Sequence, residues 1–237
     1  MFPYLRVSVE SQFLGEFKMW NFKLALCAAA AFAGSAAYAG PVTLTFEGAG
    51  NLASVNDFYN GGTDSQGNSG TNYGINFSTN SLSLIDSSSG GSGNTGNDPS
   101  GITTLIFLSG GAATMNVAAG FDTGFSFYYA AFFAGTVTVY DGLNATGNVL
   151  GTLSLSPTNN VYYDWSPIGV SFAGTAHSVD FGGSANYIAF DNITLGASTP
   201  GNGAVPEPAS WALMLGGFGL VGGAMRSSRR RTAVAFS

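Results

Sequence analysis

The chain has 237 residues, a formal net charge of −6, only 8% charged residues and a single cysteine, Cys27. Its seven basic residues are Arg6, Lys18, Lys23, Arg226, Arg229, Arg230 and Arg231, so positions 24–225 hold no lysine or arginine at all. The stretch 40–205 keeps every acid except Glu10, Glu16 and Glu207, for a formal charge of about −10, which excludes nucleic-acid binding, because that depends on basic side chains neutralising phosphates.

In chain order, the first element is a leader. Lys23, the apolar run Leu24 to Ala33 and the small residues up to Ala37-Tyr38-Ala39 have the charge, apolar length and cleavage chemistry of a secretory signal peptide. The expectation is a signal helix within residues 1–39, with signal peptidase reading Ala37 and Ala39 and cutting after Ala39. Glu10 and Glu16 sit poorly in a cationic leader section and Met19 opens a better one, so Met19 is the expected true start. Cys27 follows Leu26, where a lipoprotein signal needs a small residue, and it leaves with the leader. The processed form then has no thiol for a disulfide or a metal site.

Residues 40–199 are long enough for one domain with a sizeable core. Apolar residues alternate with small polar ones at period two, a strand signature. Val42, Leu44 and Phe46 set the first strand, followed by Ile75 to Phe77, Leu82 to Ile85, Thr104 to Leu108 and Thr114 to Val117. Phe125, Phe127 and Tyr129 define the next, then Val137 with Val139, Leu153 with Leu155, Val170 with Phe172, Val179 to Phe181, and Ile188 with Phe190. Turn residues such as Asp141-Gly142 and Thr146-Gly147-Asn148 separate them. The pattern predicts an all-β fold, an antiparallel jelly-roll sandwich of about ten strands. Tyr59 to Asn72 and Ser87 to Gly101, rich in Gly, Ser and Asn, are expected to be mobile surface loops, and residues 200–205 a linker.

Little in this domain points to catalysis. His177 is the only imidazole of the chain, there is no Gly-x-Ser-x-Gly elbow, and the Gly-rich segments lack the lysine of a phosphate loop. Oxygen ligands are plentiful, which leaves calcium. Glu47 follows Phe46 near the domain's start and Asp191 follows Phe190 near its end. Antiparallel pairing of the first and last strands would bring the two carboxylates together, where they repel unless a proton or cation lies between them. The arrangement resembles the structural calcium site of carbohydrate-binding-module sandwiches, which implies Ca2+ held by Glu47 and Asp191; Asp57 and Asp64 are weaker candidates. The aromatic group Tyr162, Tyr163 and Trp165, with Asp164, is a candidate sugar platform, since ring faces stack on the C–H face of a sugar. Tyr128, Tyr129, Phe132 and Phe133 form a second group, in which Phe125, Phe127 and Tyr129 point inward and Tyr128 outward.

The tail is the most specific part. Pro206-Glu207-Pro208 precedes a 17-residue apolar run, Ala209 to Met225, then Arg226, Arg229, Arg230 and Arg231. The run is at the short end of what crosses the roughly 30 Å hydrocarbon core, and the arginines hold its far end in the cytoplasm. Gly219-x-x-x-Gly223 within it has the spacing of helix pairing in membranes. Tripeptide, Trp211-Ala212, Gly-rich apolar span and arginines together resemble the PEP-CTERM sorting signal, with Thr232 to Ser237 as extra residues beyond the pattern. That resemblance implies an inner-membrane precursor, recognition by an exosortase-type membrane protease, and delivery to the cell surface or extracellular polymer. The expectation for the whole is therefore an exported, non-enzymatic surface or matrix protein. The alternatives are a secreted, calcium-stabilised carbohydrate-binding module and, last, a polysaccharide hydrolase working through two carboxylates.

Overall fold

The structure, a computed structural model, describes residues 40–160, 162–202 and 218. The expected leader with Ala37 and Ala39, and the tail with Pro206, Glu207, Pro208, Trp211, its apolar span and its arginines, lie outside the described residues, Phe218 apart. Among the described residues no helix is long and apolar enough to cross a membrane.

Twelve strands form among the described residues: β1 (Val42–Leu44), β2 (Ala53–Ser54), β3 (Ile75–Phe77), β4 (Leu82–Ile85), β5 (Thr103–Ile106), β6 (Ala112–Phe121), β7 (Gly124–Ala131), β8 (Gly135–Tyr140), β9 (Val149–Leu155), β10 (Ser166–Ser171), β11 (Ala176–Gly182) and β12 (Ile188–Leu195). A single 3-10 turn, Ser87–Ser89, is capped by the Asp86 carboxylate, which accepts from the Ser88 N–H. The strands make two antiparallel sheets. One runs β10-β7-β12-β5-β4-β2 with β1 added to β12, and the other runs β3-β6-β11-β8-β9. Successive strands alternate between the sheets over most of the chain, the crossing habit expected of a jelly roll.

β12 is the hub. β7 lies along one side of it, while β5 and β1 share the other: Phe190 pairs Leu105, and Val42 to Leu44 pair Leu195 to Ile193. The first and last strands are therefore neighbours, as is common in a jelly roll. Between the sheets Phe127, Phe181 and Phe190 interlock at centroid distances of 5.0 to 6.2 Å, edge to face. All three are buried, and such pairs add roughly 0.5–1.5 kcal/mol beyond their area.

The outer face of the larger sheet is covered too. Leu84, Ile106 and Ala189 form a second small apolar cluster there, and Tyr162 and Trp165, from the β9–β10 connection, pack onto it. Period two explains this: Phe190 faces the main core, so Ala189 faces outward. Beyond β12 the chain folds back on the domain. Gly196 donates to Gly124 O at 2.9 Å, the Ser126 hydroxyl donates to Ala197 O at 2.9 Å, and Gly201 N–H donates to the Thr194 hydroxyl at 2.9 Å. The packed domain thus reaches residue 201, where the sequence suggests that the linker is already under way.

The two expected mobile loops are instead tied down. In the first, Asp64 is 4% exposed and its carboxylate accepts from the N–H groups of Gly50, Gln66 and Asn68 and from the Asn68 amide. Burial pushes the Asp64 carboxyl up, but these donors outweigh it and hold it below the usual range. The second loop, 87–101, is bonded at both of its ends and in its middle, and it builds the site.

Candidate functional site

An open cleft of about 480 Å³ lies on the covered outer side of the larger sheet. Tyr128, Tyr163 and Trp165 supply its aromatic walls; Asn97, Asp164, Asn192 and Asn202 supply its polar groups, with Pro99. Tyr128 is contributed by β7, on the face opposite Phe127, and it pairs Asp191 on β12 and Pro167 on β10. Tyr163 and Trp165 arrive on the β9–β10 connection, which is clamped to the 87–101 loop. Gly96 N–H donates to Tyr162 O and the Trp165 indole N–H donates to Gly96 O, each at 3.0 Å, while the Asn97 amide donates to Tyr163 O at 3.3 Å. Position 96 must be glycine for this clamp, because a Cβ there would sit 2.5 Å from the Tyr163 ring. The two loops are thereby held as one wall.

Asn192 is the unusual member. It interrupts β12 where the register against β7 shifts, between Asp191 and Thr194, and its φ is +48°. Asparagine tolerates the left-handed region better than most residues, and a bulge of this kind re-aims a side chain. The side chain is 1% exposed, yet Oδ1 has no hydrogen-bond partner. A buried, partnerless acceptor costs roughly 1–3 kcal/mol, so a strained backbone and an unspent acceptor coincide at the cleft.

Beside the cleft, four acids gather around one loop. Glu47 Oε1 accepts from the N–H groups of Ile102 and Thr103, both at 2.8 Å. Asp191 is buried and accepts from the Ser100 N–H at 2.7 Å, from the Ser100 hydroxyl and from its neighbour's N–H. Burial pushes the Asp191 carboxyl up to about 7 against those hydrogen bonds, and Asp98 adds its repulsion. Asp98, half-buried, is pushed up to about 6 by desolvation first and then by Asp86 and Glu47. The Thr95 side chain draws it slightly back down, although Oδ1 is buried and makes no close hydrogen bond. Glu47 and Asp191 therefore grip the same Ser100–Thr103 segment from its two ends, with N–H and O–H donors between them. Among the described residues no group of three or more acids, histidines or cysteines has the geometry of a metal cage.

The remaining candidates are elsewhere. Tyr162 packs on the outer cluster and its hydroxyl donates to Asn186 O at 3.0 Å, so it fastens the loop and does not line the cleft. Asp64 is consumed by its loop, and Asp57 accepts from the Asn60 amide. His177 stands on β11, with Nδ1 3.3 Å from Val117 O. Phe132 and Phe133 project from the β7–β8 turn and cluster with Tyr187 at 4.7 to 5.8 Å, all three at least 40% exposed; Tyr128 and Tyr129 lie on opposite faces of β7. Sequence reasoning finds Tyr163 and Trp165 because aromatics cluster visibly. Asn97 and Asn202 give no such signal, and the one clue to Asn192 is its place beside Asp191 in a strand that is otherwise mostly apolar.

Comparison with known proteins adds one specific match: residues 204–231 carry the PEP-CTERM protein-sorting motif. No curated protein matches the chain. Among solved structures it is similar to part of a family 43 arabinoxylan arabinofuranohydrolase from Bacillus subtilis solved with cellotetraose, at 20% identity and a TM-score of 0.34, over 50% of this chain and 24% of that one. It is also similar to a CBM6 module of Clostridium stercorarium with cellobiose, at 16% identity and TM-score 0.34, over 51% and 85%, and to a family 29 carbohydrate-binding module, at 13% identity and TM-score 0.38, over 72% and 99%. Likeness at that level decides no ligand.

Proposed function

We propose that this chain, which ends in a protein-sorting motif, is an exported, non-enzymatic surface or matrix protein whose sandwich binds polysaccharide in the aromatic cleft. In this reading signal peptidase removes residues 1–39, the apolar span holds the precursor in the inner membrane, and an exosortase-type protease cuts near Pro206-Glu207-Pro208. The observation that carries the binding role is one open cleft that sets Tyr128, Tyr163 and Trp165 beside the amides of Asn97, Asn192 and Asn202 and the Asp164 carboxylate. Rings take a sugar's C–H face and amides take its hydroxyls. Hydrolysis finds less support: glycoside cleavage uses two carboxylates flanking one bond, and Asp164 is the single carboxylate of the lining.

Calcium is the structural part of the proposal. Glu47 and Asp191 would hold it between them, since no basic residue exists in the domain to neutralise the acids gathered there. When bound, the ion would supply positive charge to a group of acids that otherwise repel.

The cleanest variant for the binding role is Tyr163→Ala, because Tyr163 lines the cleft while remaining 47% exposed. In calorimetric titration with a panel of oligosaccharides, the wild-type chain should bind at least one class and the variant should lose roughly tenfold in affinity, about 1.4 kcal/mol, with melting unchanged. Unaltered affinity in the variant would reject this cleft as the binding surface.

A further inference from the structure

The chemistry of the cleft is one-sided. Asp164 spends Oδ2 on the Asn160 N–H at 3.1 Å and is otherwise exposed, and Asn192 Oδ1 has no donor. Two nearby donors are committed, the Trp165 indole N–H to Gly96 O and one Asn97 amide N–H to Tyr163 O. Around the cleft stand Asp98 and Asp191, and no lysine or arginine occurs anywhere from residue 24 to 225. A cationic ligand seated here finds the Asp164 carboxylate, and a negatively charged one meets only like charge.

Resting on the carbohydrate-binding reading, we propose that the cleft selects glycans bearing free amino groups, polymers of the glucosamine type, over neutral sugars and over uronic-acid polymers. The ring of the amino sugar lies against Tyr163 and Trp165. Its ammonium group donates to the exposed Asp164 carboxylate of the lining. Charge-assisted hydrogen bonds are about twice as strong as neutral ones, and they are worth most where aromatic walls exclude water. Uronate carboxylates have no basic partner in the domain and are rejected by repulsion, a specificity made by what the site omits.

The test is a calorimetric titration of the full chain, purified in detergent, with four matched trimers: glucosamine, N-acetylglucosamine, glucose in β-1,4 linkage, and galacturonic acid. The titrations are run at mildly acidic pH, where the sugar amine is protonated. The glucosamine trimer should bind roughly tenfold tighter than the glucose trimer, and the galacturonate trimer should not bind. Asp164→Asn should erase the advantage of the amine, so that the glucosamine and glucose trimers bind alike. Asp122→Asn, which removes an exposed charge in the β6–β7 turn away from the cleft lining, should change neither. If the glucose or N-acetylglucosamine trimer binds as well as the amine, the inference falls while glycan binding stands. Failure of all four to bind overturns both. Equal loss in Asp122→Asn and Asp164→Asn assigns the effect to the domain's overall charge and also overturns the inference.

Discussion

At the scale of single residues, Asn192 concentrates the functional argument. A left-handed φ of +48° in the middle of a strand, a side chain 1% exposed and an oxygen without a donor are each unfavourable, and all three fall on a residue of the cleft. Strain and unspent polarity of this kind persist where binding makes use of them. Asn192→Gly separates the two roles. Glycine adopts this φ without penalty and removes the orphaned oxygen, so thermal denaturation should show a melting temperature no lower than wild type, while oligosaccharide affinity drops. A variant that melts well below wild type would make the Asn192 side chain a structural element. Trp165 behaves oppositely. It is both wall and packing, lying on Leu84, Ile106 and Ala189 with its indole bonded to Gly96 O, so Trp165→Ala should lose binding and also cost roughly 2–4 kcal/mol in chemical denaturation.

Among the elements, the Ser100–Thr103 loop with its four acids governs the response to pH. Asp191 and Asp98 have carboxyls raised to about 7 and about 6, Asp191 chiefly by burial and Asp98 by burial and its acidic neighbours. A raised carboxyl binds its proton more tightly in the folded state than in the unfolded one. The stability it contributes is therefore complete below the ordinary carboxylate range and is lost as pH climbs through 6 and 7. Asp64, held low, acts in the reverse sense and only below about pH 4. With EDTA present, the melting temperature should peak near pH 4–5 and fall by several degrees by pH 8. Calcium added at pH 8 should restore it. A flat profile in EDTA would remove the acid cluster as a source of instability, and no response to calcium would remove the ion. The same elements show what the sequence conveys. Strand positions are legible because apolar residues recur at period two, as in Phe125, Phe127 and Tyr129, and the β1–β12 pairing follows from the habit of jelly rolls to set first and last strands side by side. β2 is hidden, being two residues long, and β12 is under-read because all eight of its residues are buried, so alternation disappears. The long polar loops look mobile from composition, yet carboxylate and amide side chains, as in the Asp64 cage, supply the order that apolar burial does not. Tyr163 and Trp165 are visible as a cluster, but only tertiary structure brings them to Tyr128 and Asn192.

For the whole molecule, the distribution of charge and the sorting motif tell one story. A domain without lysine or arginine presents trypsin with no site, so digestion of the processed protein should leave the span from residue 41 to 205 uncut, and an internal tryptic fragment starting in that span would contradict the processing described. The packed domain runs to residue 201 and Asn202 lines the cleft, only a few residues before the motif at 204–231. The proposed cleavage near the Pro-Glu-Pro tripeptide would thus fall only a few residues beyond the cleft lining. The most direct measurement is the intact mass of the protein recovered from outside the cell, compared in cells with and without the sorting protease. The account predicts a species beginning at Gly40 and ending near residues 206–208 when the protease is present, and a membrane-held form with its tail intact when it is absent. Full-length chain in the cytosol, identical in both strains, would contradict it.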